Sequence, residues 1–404
     1  MSKRILVLAT TFPRWKNDTE PAFVYYLSDL LAQRGFSITV LAPHSSGSLF
    51  RERLGNVDVR RFSYAWPHSM QKICYNGGAL PNLKRYWRAR LQLPVFLLRQ
   101  WNAILKSVEQ DSWDLIHAHW IVPQGFFATV IGRMKHIPVI LTAHAGDVFA
   151  MRNPVIRPFA TYALRKALLC TVNSNATVEA VLKLYKDSTV SLVPMGVDLS
   201  RFHPGLPDEE IVRRFDLRGR TILGVGRFAP KKGFLHLIDA CASLVSKSPD
   251  YRLLLCGFGP QEESLRARVA ERNLEGIVHF AGKINQNELP RFYRSSQVVS
   301  VPSVVLSSGD TEGQGIVVLE AMASRIPVVA SGVGGILDTI THDRNGILVP
   351  PGDPASLADA IYGICEDEHK ADLIARNGLE TIRQRFSWDR IADRFAALYE
   401  NILQ

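Results

Sequence analysis

The sequence is poor in cysteine and has no long apolar run. Its five cysteines are scattered, odd in number and without any Cys-x-x-Cys pair, a pattern typical of reduced thiols rather than of a disulfide framework. No apolar segment approaches the roughly 20 residues that a membrane-spanning helix needs. The first residues, MSKRILVLA, are too few for a signal peptide and predict an initial β-strand. We therefore expect a cytoplasmic globular protein.

Strong phosphate-binding signatures are absent as well. No segment matches a Walker loop, and CGFGP (256–260) lacks the third glycine of the dinucleotide fingerprint. We interpret this segment and GVGG (332–335) as tight turns, although Gly257 is also a candidate for approach to a phosphate. The sequence alone leaves both interpretations open.

Negative charge is scarce in the first half of the chain. Residues 1–200 contain 24 Lys and Arg but only 12 Asp and Glu, so the net charge of +10 originates there. A basic half suggests an anionic partner, and a basic surface kept for solubility is the alternative. Nucleic acid is not an expected partner, because neither the charge nor the aromatic spacing fits a recognised binding motif.

Strand and helix patterns alternate along both halves of the chain. β-Branched runs predict strands, and amphipathic segments such as PAFVYYLSDLLAQRG (21–35) predict the helices between them. The predicted strands cover residues 4–10, 37–43, 114–120, 138–144, 191–195, 221–227, 252–257, 277–282, 297–303 and 327–331. This alternation predicts an α/β protein with doubly wound, Rossmann-like parallel sheets.

We expect two such domains. The segment PMGVDLSRFHPGLP (194–207) is rich in proline and glycine and predicts the linker, so the N-terminal domain covers 1–195 and the C-terminal domain 196–385. The amphipathic segment FSWDRIADRFAALYENILQ predicts a terminal helix over 386–404 that returns to the N-terminal domain. Doubly wound sheets bind ligands at the carboxyl ends of their strands, so we expect the domains to face each other across a cleft.

The segment DTEGQGIVVLEAMA carries the most specific signal. Gly313 and Gly315 permit close backbone approach, and the helix predicted after them offers free N–H groups to hydroxyls or anions. Glu312 precedes this helix and Glu320 lies about two turns into it, so the carboxylates could hold two polyols of one ligand, such as a sugar and a ribose. The alternative is that Glu312 caps the helix and Glu320 is solvated.

Two cations follow the first predicted strand of the second half. Arg227 ends that strand and Lys232 precedes a helix. Two cations beside a helix N-terminus suit a diphosphate. Solvated surface charges are the alternative.

The first half contributes histidines at predicted strand ends. His144 ends the strand 138–144, and Asp147 follows three positions later. His117 and His119 end the preceding strand, but no third metal ligand with suitable spacing is evident. We therefore expect hydrogen-bonded core roles for this pair and no metal site.

Together these segments resemble family 4 of the retaining glycosyltransferases, which have the GT-B fold. The resemblance covers essentially the whole chain: both domains, PMGVDLSRFHP, GRFAPKKG, the Glu-x(7)-Glu motif and the FSW helix. It implies a UDP- or GDP-sugar donor held by the second domain and an acceptor bound by the first. It also implies transfer with retention at the anomeric carbon, without a metal or other cofactor.

The resemblance further implies roles for single residues. Arg227 and Lys232 would bind the diphosphate, Glu320 the ribose, and His144 the sugar and phosphate near the reacting centre. The sugar would be held by Glu312 and by the N–H groups of Gly313, Gln314, Gly315 and Ile316, and the base would lie near Lys283 and Ile284. The expected catalytic residues are His144, Glu312, Arg227 and Lys232.

One segment departs from the family pattern. Many members carry a Gly-Gly loop after the first strand that contacts the donor phosphate, whereas TTFPRWKNDTEPAF (10–23) contains no glycine. In this respect the chain resembles enzymes of envelope polysaccharide assembly. We name Arg14 and Asp147 only as candidates on the acceptor side.

The expected function is transfer of a hexosyl group to a glycan or lipid-linked acceptor in cell-envelope polysaccharide, lipopolysaccharide or glycolipid synthesis. A nucleotide-sugar epimerase on the same architecture and a non-catalytic nucleotide-sugar-binding protein are the alternatives. The segment PNLKRYWRARLQLPVFLLRQW (81–101) mixes cations with aromatic residues, which favours peripheral binding to the inner face of an anionic membrane. A helical pair packed on the first domain is the alternative.

Overall fold

Two α/β units make up the structure. It is a computed structural model that describes residues 2–16, 18, 20, 22–75, 78–151 and 153–404. The first unit runs to Asn173 and also contains Thr177–Val193 and Ile391–Gln404, and the second contains Ser174–Ala176 and Pro194–Arg390. The glycine-free loop 10–23 is described in part, because its positions 17, 19 and 21 lie outside the described residues.

An eight-stranded sheet forms the centre of the first unit. Its strands are β1 (Arg4–Leu8), β2 (Ser37–Pro43), β3 (Arg51–Leu54), β4 (Val57–Phe62), β5 (Leu115–His119), β6 (Val139–Ala143), β7 (Leu169–Val172) and β8 (Val190–Leu192). They lie in the order β3-β4-β2-β1-β5-β6-β7-β8, and all pairs are parallel except β3 with β4. Strands β5 and β6 are buried along their whole length, as expected for parallel strands covered on both faces.

Helices pack against this sheet. They are α1 (Phe23–Gln33), α2 (Ala79–Arg85), α3 (Trp87–Gln110), α4 (Phe126–Lys135), α5 (Gly146–Ala150), α6 (Arg157–Lys166) and α7 (Asn175–Leu184). The long helix α3 buries Ala89, Phe96 and Ile104 in the core of the unit.

The second unit contains a six-stranded, fully parallel sheet. Its strands are β9 (Arg220–Val225), β10 (Tyr251–Cys256), β11 (Val278–Gly282), β12 (Val298–Val301), β13 (Val328–Ser331) and β14 (Ile347–Val349), in the order β11-β10-β9-β12-β13-β14. Its helices are α8 (Glu209–Arg214), α9 (Phe234–Lys247), α10 (Glu262–Glu271), α11 (Leu289–Arg294), α12 (Ile316–Ala323), α13 (Pro354–Glu366) and α14 (Glu368–Thr381). The final helix α15 (Trp388–Leu403) belongs to the first unit from Ile391 onward.

Both faces of the second sheet are buried. The neighbours Ile222 and Leu223 on β9 point to opposite faces, and each belongs to a separate core cluster. Local signals fix the helices that cover these faces. Helix α13, for example, begins with Pro354, and the side chain of Asp353 accepts from the backbone N–H groups of the next turn.

The predicted fold class is confirmed, and the predicted strand 37–43 has the bounds of β2. One correction concerns the first sheet, which is not wholly parallel, since β3 runs antiparallel to β4. The charged segment RERLGNVDVRRF that forms this pair had suggested no strand. Strands β7 and β14 were also missed.

Candidate active site

A buried ion pair lies before helix α12 of the second unit. Glu312 is only 8% exposed, and its Oε2 accepts from Lys232 Nζ at 2.5 Å and from Ser303 Oγ at 3.2 Å. Burial alone would raise the pKa of Glu312. The ammonium of Lys232, helped by Lys231 and Ser303, more than offsets this effect, so the pKa lies below its ordinary value. Glu312 is therefore a charged acceptor with one oxygen already engaged.

A second buried carboxylate stands within α12. Glu320 is 7% exposed, and its Oε2 accepts from the hydroxyl of Tyr293 on α11 at 2.7 Å. Burial raises the pKa of Glu320 to about 7, against the opposite effects of the Tyr293 hydroxyl and the charges of Arg201 and Lys232. Near neutral pH, Glu320 is thus close to its titration midpoint.

No carboxylate caps the start of α12. The N-cap residue is Gly315, in the left-handed region at φ 74°, and no side chain caps the helix. Within the described part of the chain, the backbone N–H groups of residues 313–317 have no hydrogen-bond acceptor. The alternative in which Glu312 caps the helix and Glu320 is solvated is therefore wrong, and the free N–H groups are available to a ligand.

Close backbone contacts join the loops around Glu312. A Cβ on Gly233 would lie 1.9 Å from the carbonyl oxygen of Pro302, and one on Gly334 would lie 2.0 Å from that of Glu312. No side chain fits at either position, and both residues have positive φ. These glycines bring the loops after β9, β12 and β13 together at one site.

The two predicted diphosphate ligands differ in their surroundings. Arg227 is exposed, and Lys232 lies in the turn before α9 and is paired with Glu312. The neighbouring Lys231 pairs with Asp310 at 3.0 Å. The alternative of solvated surface charges is wrong for Lys232, whose ammonium is bound to the buried carboxylate of Glu312.

The predicted base side lies after β10 and β11. Lys283 is exposed, with Nζ 5.6 Å from the ring centroid of Phe258, and Ile284 is half-buried. A Cβ on Gly257 would lie 1.8 Å from the carbonyl oxygen of Gly226. Packing therefore accounts for Gly257 without any approach to a phosphate.

Gln314 uses its side chain within the protein. Its Oε1 accepts from Met195 N at 2.7 Å, and its Nε2 donates to Met195 O at 3.0 Å. The amide group thus fastens the segment that opens the second unit. Only the backbone N–H of Gln314 is left for the predicted sugar contact.

Three histidines are connected at the carboxyl ends of β5 and β6 in the first unit. His119 Nδ1 lies 3.0 Å from His144 Nε2, and the ring nitrogens of His117 lie 2.6 Å from Tyr399 Oη and 2.6 Å from Thr142 Oγ1. Burial lowers the pKa of His117 and of His144 to about 3, and that of His119 well below its ordinary value. All three are neutral at pH 7, and the predicted hydrogen-bonded core role of His117 and His119 is confirmed.

The loop that carries His144 is strained. Ala145 has φ 61° and ψ −57°, the rare and strained form of γ-turn, and Trp120 has φ 70°. The buried carboxylate of Asp147 holds this loop, since it accepts from His144 N at 2.8 Å and from Ile121 N at 3.1 Å. These bonds account for Asp147 structurally, and its role on the acceptor side stays a prediction.

Arg14 also has partners within its own unit. Its guanidinium donates to Asp18 from Nε at 2.8 Å and from Nη2 at 2.7 Å, and it lies over the ring of Trp15 at 4.5 Å. This contact stabilises the loop after β1. An acceptor role for Arg14 likewise stays a prediction.

The described residues contain neither a cluster of metal ligands nor a membrane-spanning helix. No three His, Cys, Asp or Glu side chains there are grouped as a metal site. No described helix is both long enough and apolar enough to cross a bilayer.

The sequence did not predict the residues that donate hydrogen bonds to the two carboxylates. Tyr293 and Ser303 donate to Glu320 and Glu312 across 27 and 9 positions of sequence. The nearest signal was their place in the chain: Tyr293 precedes and Ser303 ends the predicted strand 297–303. Without the strand order, no motif linked either residue to its carboxylate.

Comparison with known proteins agrees with this architecture. A model of Glycosyltransferase Family 4 matches residues 22–201, and a model of Glycosyl transferases group 1 matches residues 208–381. The 2-deoxystreptamine glucosyltransferase of Streptomyces kanamyceticus is 30% identical over 342 residues, which cover 80% of this chain and 84% of that protein. The chain therefore belongs to the family 4 glycosyltransferases and has the GT-B fold.

Two further proteins are similar to this chain. The GDP-mannose-dependent alpha-(1-6)-phosphatidylinositol monomannoside mannosyltransferase of Mycobacterium tuberculosis is 31% identical over 212 residues, covering 52% of this chain and 55% of that protein. The structure of sucrose-phosphate synthase from Thermosynechococcus elongatus superimposes with a TM-score of 0.78 at 25% identity and 99% coverage of both chains. Named relatives thus differ in the sugar that they transfer.

The strain at Ala145 predicts an unusual tolerance of glycine. Glycine adopts positive φ without steric cost, so Ala145→Gly relieves strain in the folded chain. This relief offsets the extra conformational entropy that glycine gives the unfolded chain. We expect this variant to be about 1–2 kcal/mol less destabilising than Ala143→Gly, a matched change in the buried strand β6. Chemical denaturation of both variants measures the difference, and equal losses would show that the turn is not strained.

The raised pKa of Glu320 predicts a pH-dependent gain of stability in Glu320→Gln. Between the ordinary pKa of a carboxyl and about 7, the folded chain keeps a proton that the unfolded chain has released, so wild-type stability falls as pH rises. The ligand-free variant should match wild type near pH 4.5 and exceed it by roughly 3 kcal/mol at pH 8. Denaturant titrations at both pH values measure this, with the exposed Glu275→Gln as control. A difference that does not grow with pH contradicts the assignment.

Proposed function

We propose that this glycosyltransferase moves a hexosyl group from a nucleotide-diphosphate sugar to a hydroxyl of a glycan or lipid-linked acceptor. The observation that carries the proposal is the pair of buried carboxylates on either side of an uncapped helix start, with Lys232 beside the first. Such a site offers acceptors to two sets of hydroxyls and donors to an anion between them. A site for one small anion would not need the second carboxylate.

The diphosphate is assigned to Arg227, Lys232 and the N-terminus of α9. Lys232 is held by Glu312 in the free protein, so diphosphate binding would draw its ammonium from the carboxylate to the phosphate. The free N–H groups of residues 313–316 and the remaining oxygen of Glu312 then face the sugar. The ribose is assigned to Glu320, and the base to the surroundings of Lys283, Ile284 and Phe258.

Transfer is proposed to occur with retention and without a metal. The anomeric carbon loses its bond to the diphosphate oxygen and gains one to the acceptor oxygen on the same face, while the acceptor proton passes to the departing phosphate. Arg227 and Lys232 would stabilise the charge that grows on the diphosphate. His144 is neutral, and since its Nε2 lies 3.0 Å from His119 Nδ1, its Nδ1 is the nitrogen proposed for a contact with the sugar near the reacting carbon.

The acceptor and the membrane are assigned to the first unit. On α3, Trp87, Leu91, Val95 and Leu98 are 46–68% exposed, and their spacing places them on one helical face. The same segment contains the cations Lys84, Arg85, Arg88, Arg90 and Arg99. We propose that this face binds the inner, anionic leaflet of the cytoplasmic membrane, where an envelope glycan or glycolipid would be assembled. The packed opposite face of α3 shows that core packing and an exposed apolar stripe coexist in one helix.

The proposed donor site is tested with Glu312→Gln and Glu320→Gln. After a panel of UDP- and GDP-sugars has identified the donor, calorimetry measures affinity for the nucleoside diphosphate and for the intact donor, beside the transfer rate. Glu320→Gln should weaken both ligands by about 10- to 100-fold, since it loses bonds to a charged group. Glu312→Gln should keep or raise nucleoside diphosphate affinity, because Lys232 is released, but lower transfer by a similar factor.

Glu275→Gln, an exposed change in the same unit, is the matched control. Equal losses of nucleoside diphosphate affinity in both variants, or wild-type transfer by both, would reject this division of roles. Donor consumption without an acceptor, at the rate seen with one, would favour the epimerase alternative.

The proposed membrane face is tested by liposome flotation. Wild type should float with vesicles containing phosphatidylglycerol and stay behind with phosphatidylcholine alone, and salt should weaken the binding. Leu91→Gln combined with Leu98→Gln should lower recovery several-fold, because two exposed leucines that would enter the membrane are lost. Leu206→Gln combined with Leu337→Gln, which alters exposed leucines of the second unit, is the control. Equal recovery with both vesicle types, or none with either, contradicts the proposal.

A further inference from the structure

The two oxygens of Glu320 have different surroundings. Oε2 accepts from the Tyr293 hydroxyl at 2.7 Å, whereas Oε1 has no hydrogen-bond partner among the described residues. The backbone around Glu320 is fixed as well, since its carbonyl accepts from Ser324 N at 3.0 Å and from Ser324 Oγ at 2.9 Å. Oε2 is thus hydrogen-bonded within the unit, and Oε1 remains available to a ligand.

Tyr293 is more than a core aromatic residue. Its ring packs in the core beside Phe202, and phenylalanine could do this equally well. The hydroxyl requires a separate explanation, because a buried hydroxyl without a hydrogen-bond partner destabilises the folded chain. Its partner here is the carboxylate that the proposed function assigns to the ribose.

We propose that Tyr293 is a positioning residue of the nucleotide site, whose hydroxyl occupies Oε2 of Glu320 and so directs Oε1 to the ribose hydroxyls. The inference rests on the proposed function, because it takes a nucleotide ribose as the ligand of Glu320. It adds a residue that contacts no ligand itself.

The hydroxyl also sets the charge of the site. Burial raises the pKa of Glu320 to about 7, and the groups that oppose it are Tyr293, Arg201 and Lys232. Arg201 and Lys232 act by charge alone, without a hydrogen bond to the carboxylate. Tyr293 is therefore the hydrogen-bond donor in this set, and it favours the ionised form. An ionised Oε1 accepts from both ribose hydroxyls, whereas a protonated carboxyl does so poorly.

The test compares two ligands that differ only at the ribose. The probe is UDP or GDP, whichever wild type binds, beside its 2′,3′-dideoxy counterpart, with affinities measured by calorimetry from pH 5.5 to 9. A terminal phosphate itself titrates near pH 6, and the ratio of the two affinities cancels that effect. In wild type, this ratio should rise with pH through a midpoint near 7.

In Tyr293→Phe, the midpoint of the ratio should move upward by about one pH unit or more, since a hydrogen bond to the charged form is lost. The dideoxy ligand should bind this variant as it binds wild type. Tyr251→Phe is the matched control, because Tyr251 is fully buried in the same unit and its hydroxyl lies beside Cys365 rather than Glu320. Its midpoint should stay at the wild-type value.

Fluorination gives a second measurement should Tyr293→Phe fold poorly. Replacing Tyr293 by 3-fluorotyrosine strengthens the donor, so the midpoint should move downward.

Each failure has a different signature. Absence of UDP and GDP binding by wild type would reject the proposed function together with this inference. A ratio that does not change with pH in wild type would remove the ribose from Glu320. A wild-type midpoint in Tyr293→Phe, or in the fluorotyrosine protein, would overturn the positioning role alone.

Discussion

The candidate site of the second unit depends on backbones that approach each other more closely than side chains allow. Gly233 lies against Pro302, Gly334 against Glu312 and Gly257 against Gly226, at distances where a Cβ would meet a carbonyl oxygen at 1.8–2.0 Å. Each contact joins loops that follow different strands of one parallel sheet. Backbone contacts therefore fix the positions of these loops without long side chains. The side chains of Lys232, Glu312 and Glu320 remain available to bind a ligand.

The same candidate site buries two carboxylates, those of Glu312 and Glu320. Glu312 is held ionised by Lys232 in the free protein, whereas no cation among the described residues is bonded to Glu320, which accepts from a neutral hydroxyl. An ionised carboxylate in such surroundings destabilises the fold unless it is paired. Once Glu320 ionises, at about pH 7, the folded unit thus carries an unfavourable charge. This is the usual relation between a binding site and the stability of the unit that contains it.

The sequence predicted the elements well where periodicity and composition agreed. Strand β2 and the start of α9 follow from apolar runs beside glycine, and the sequence placed Glu312 before a helix and Glu320 within it, as the structure has them. Prediction failed where tertiary contacts decide. The sequence of the β3–β4 pair is charged and therefore suggests a loop. The hydrogen bonds of Tyr293, Ser303 and Gln314 join residues that no local sequence pattern connects. Ala145 could not be recognised as strained, because alanine gives no sign of positive φ.

One of the strands that the sequence did not predict, β3, bears on the solution behaviour of the protein. Strand β3 lies at the outer edge of the first sheet, is four residues long and carries Arg51, Glu52 and Arg53. A long, uncharged edge would offer its free backbone groups to a strand of another molecule. The short, antiparallel β3 instead carries the exposed cations Arg51 and Arg53, while Glu52 pairs with Arg61 of β4. A short edge with two exposed cations disfavours edge-to-edge pairing with another molecule.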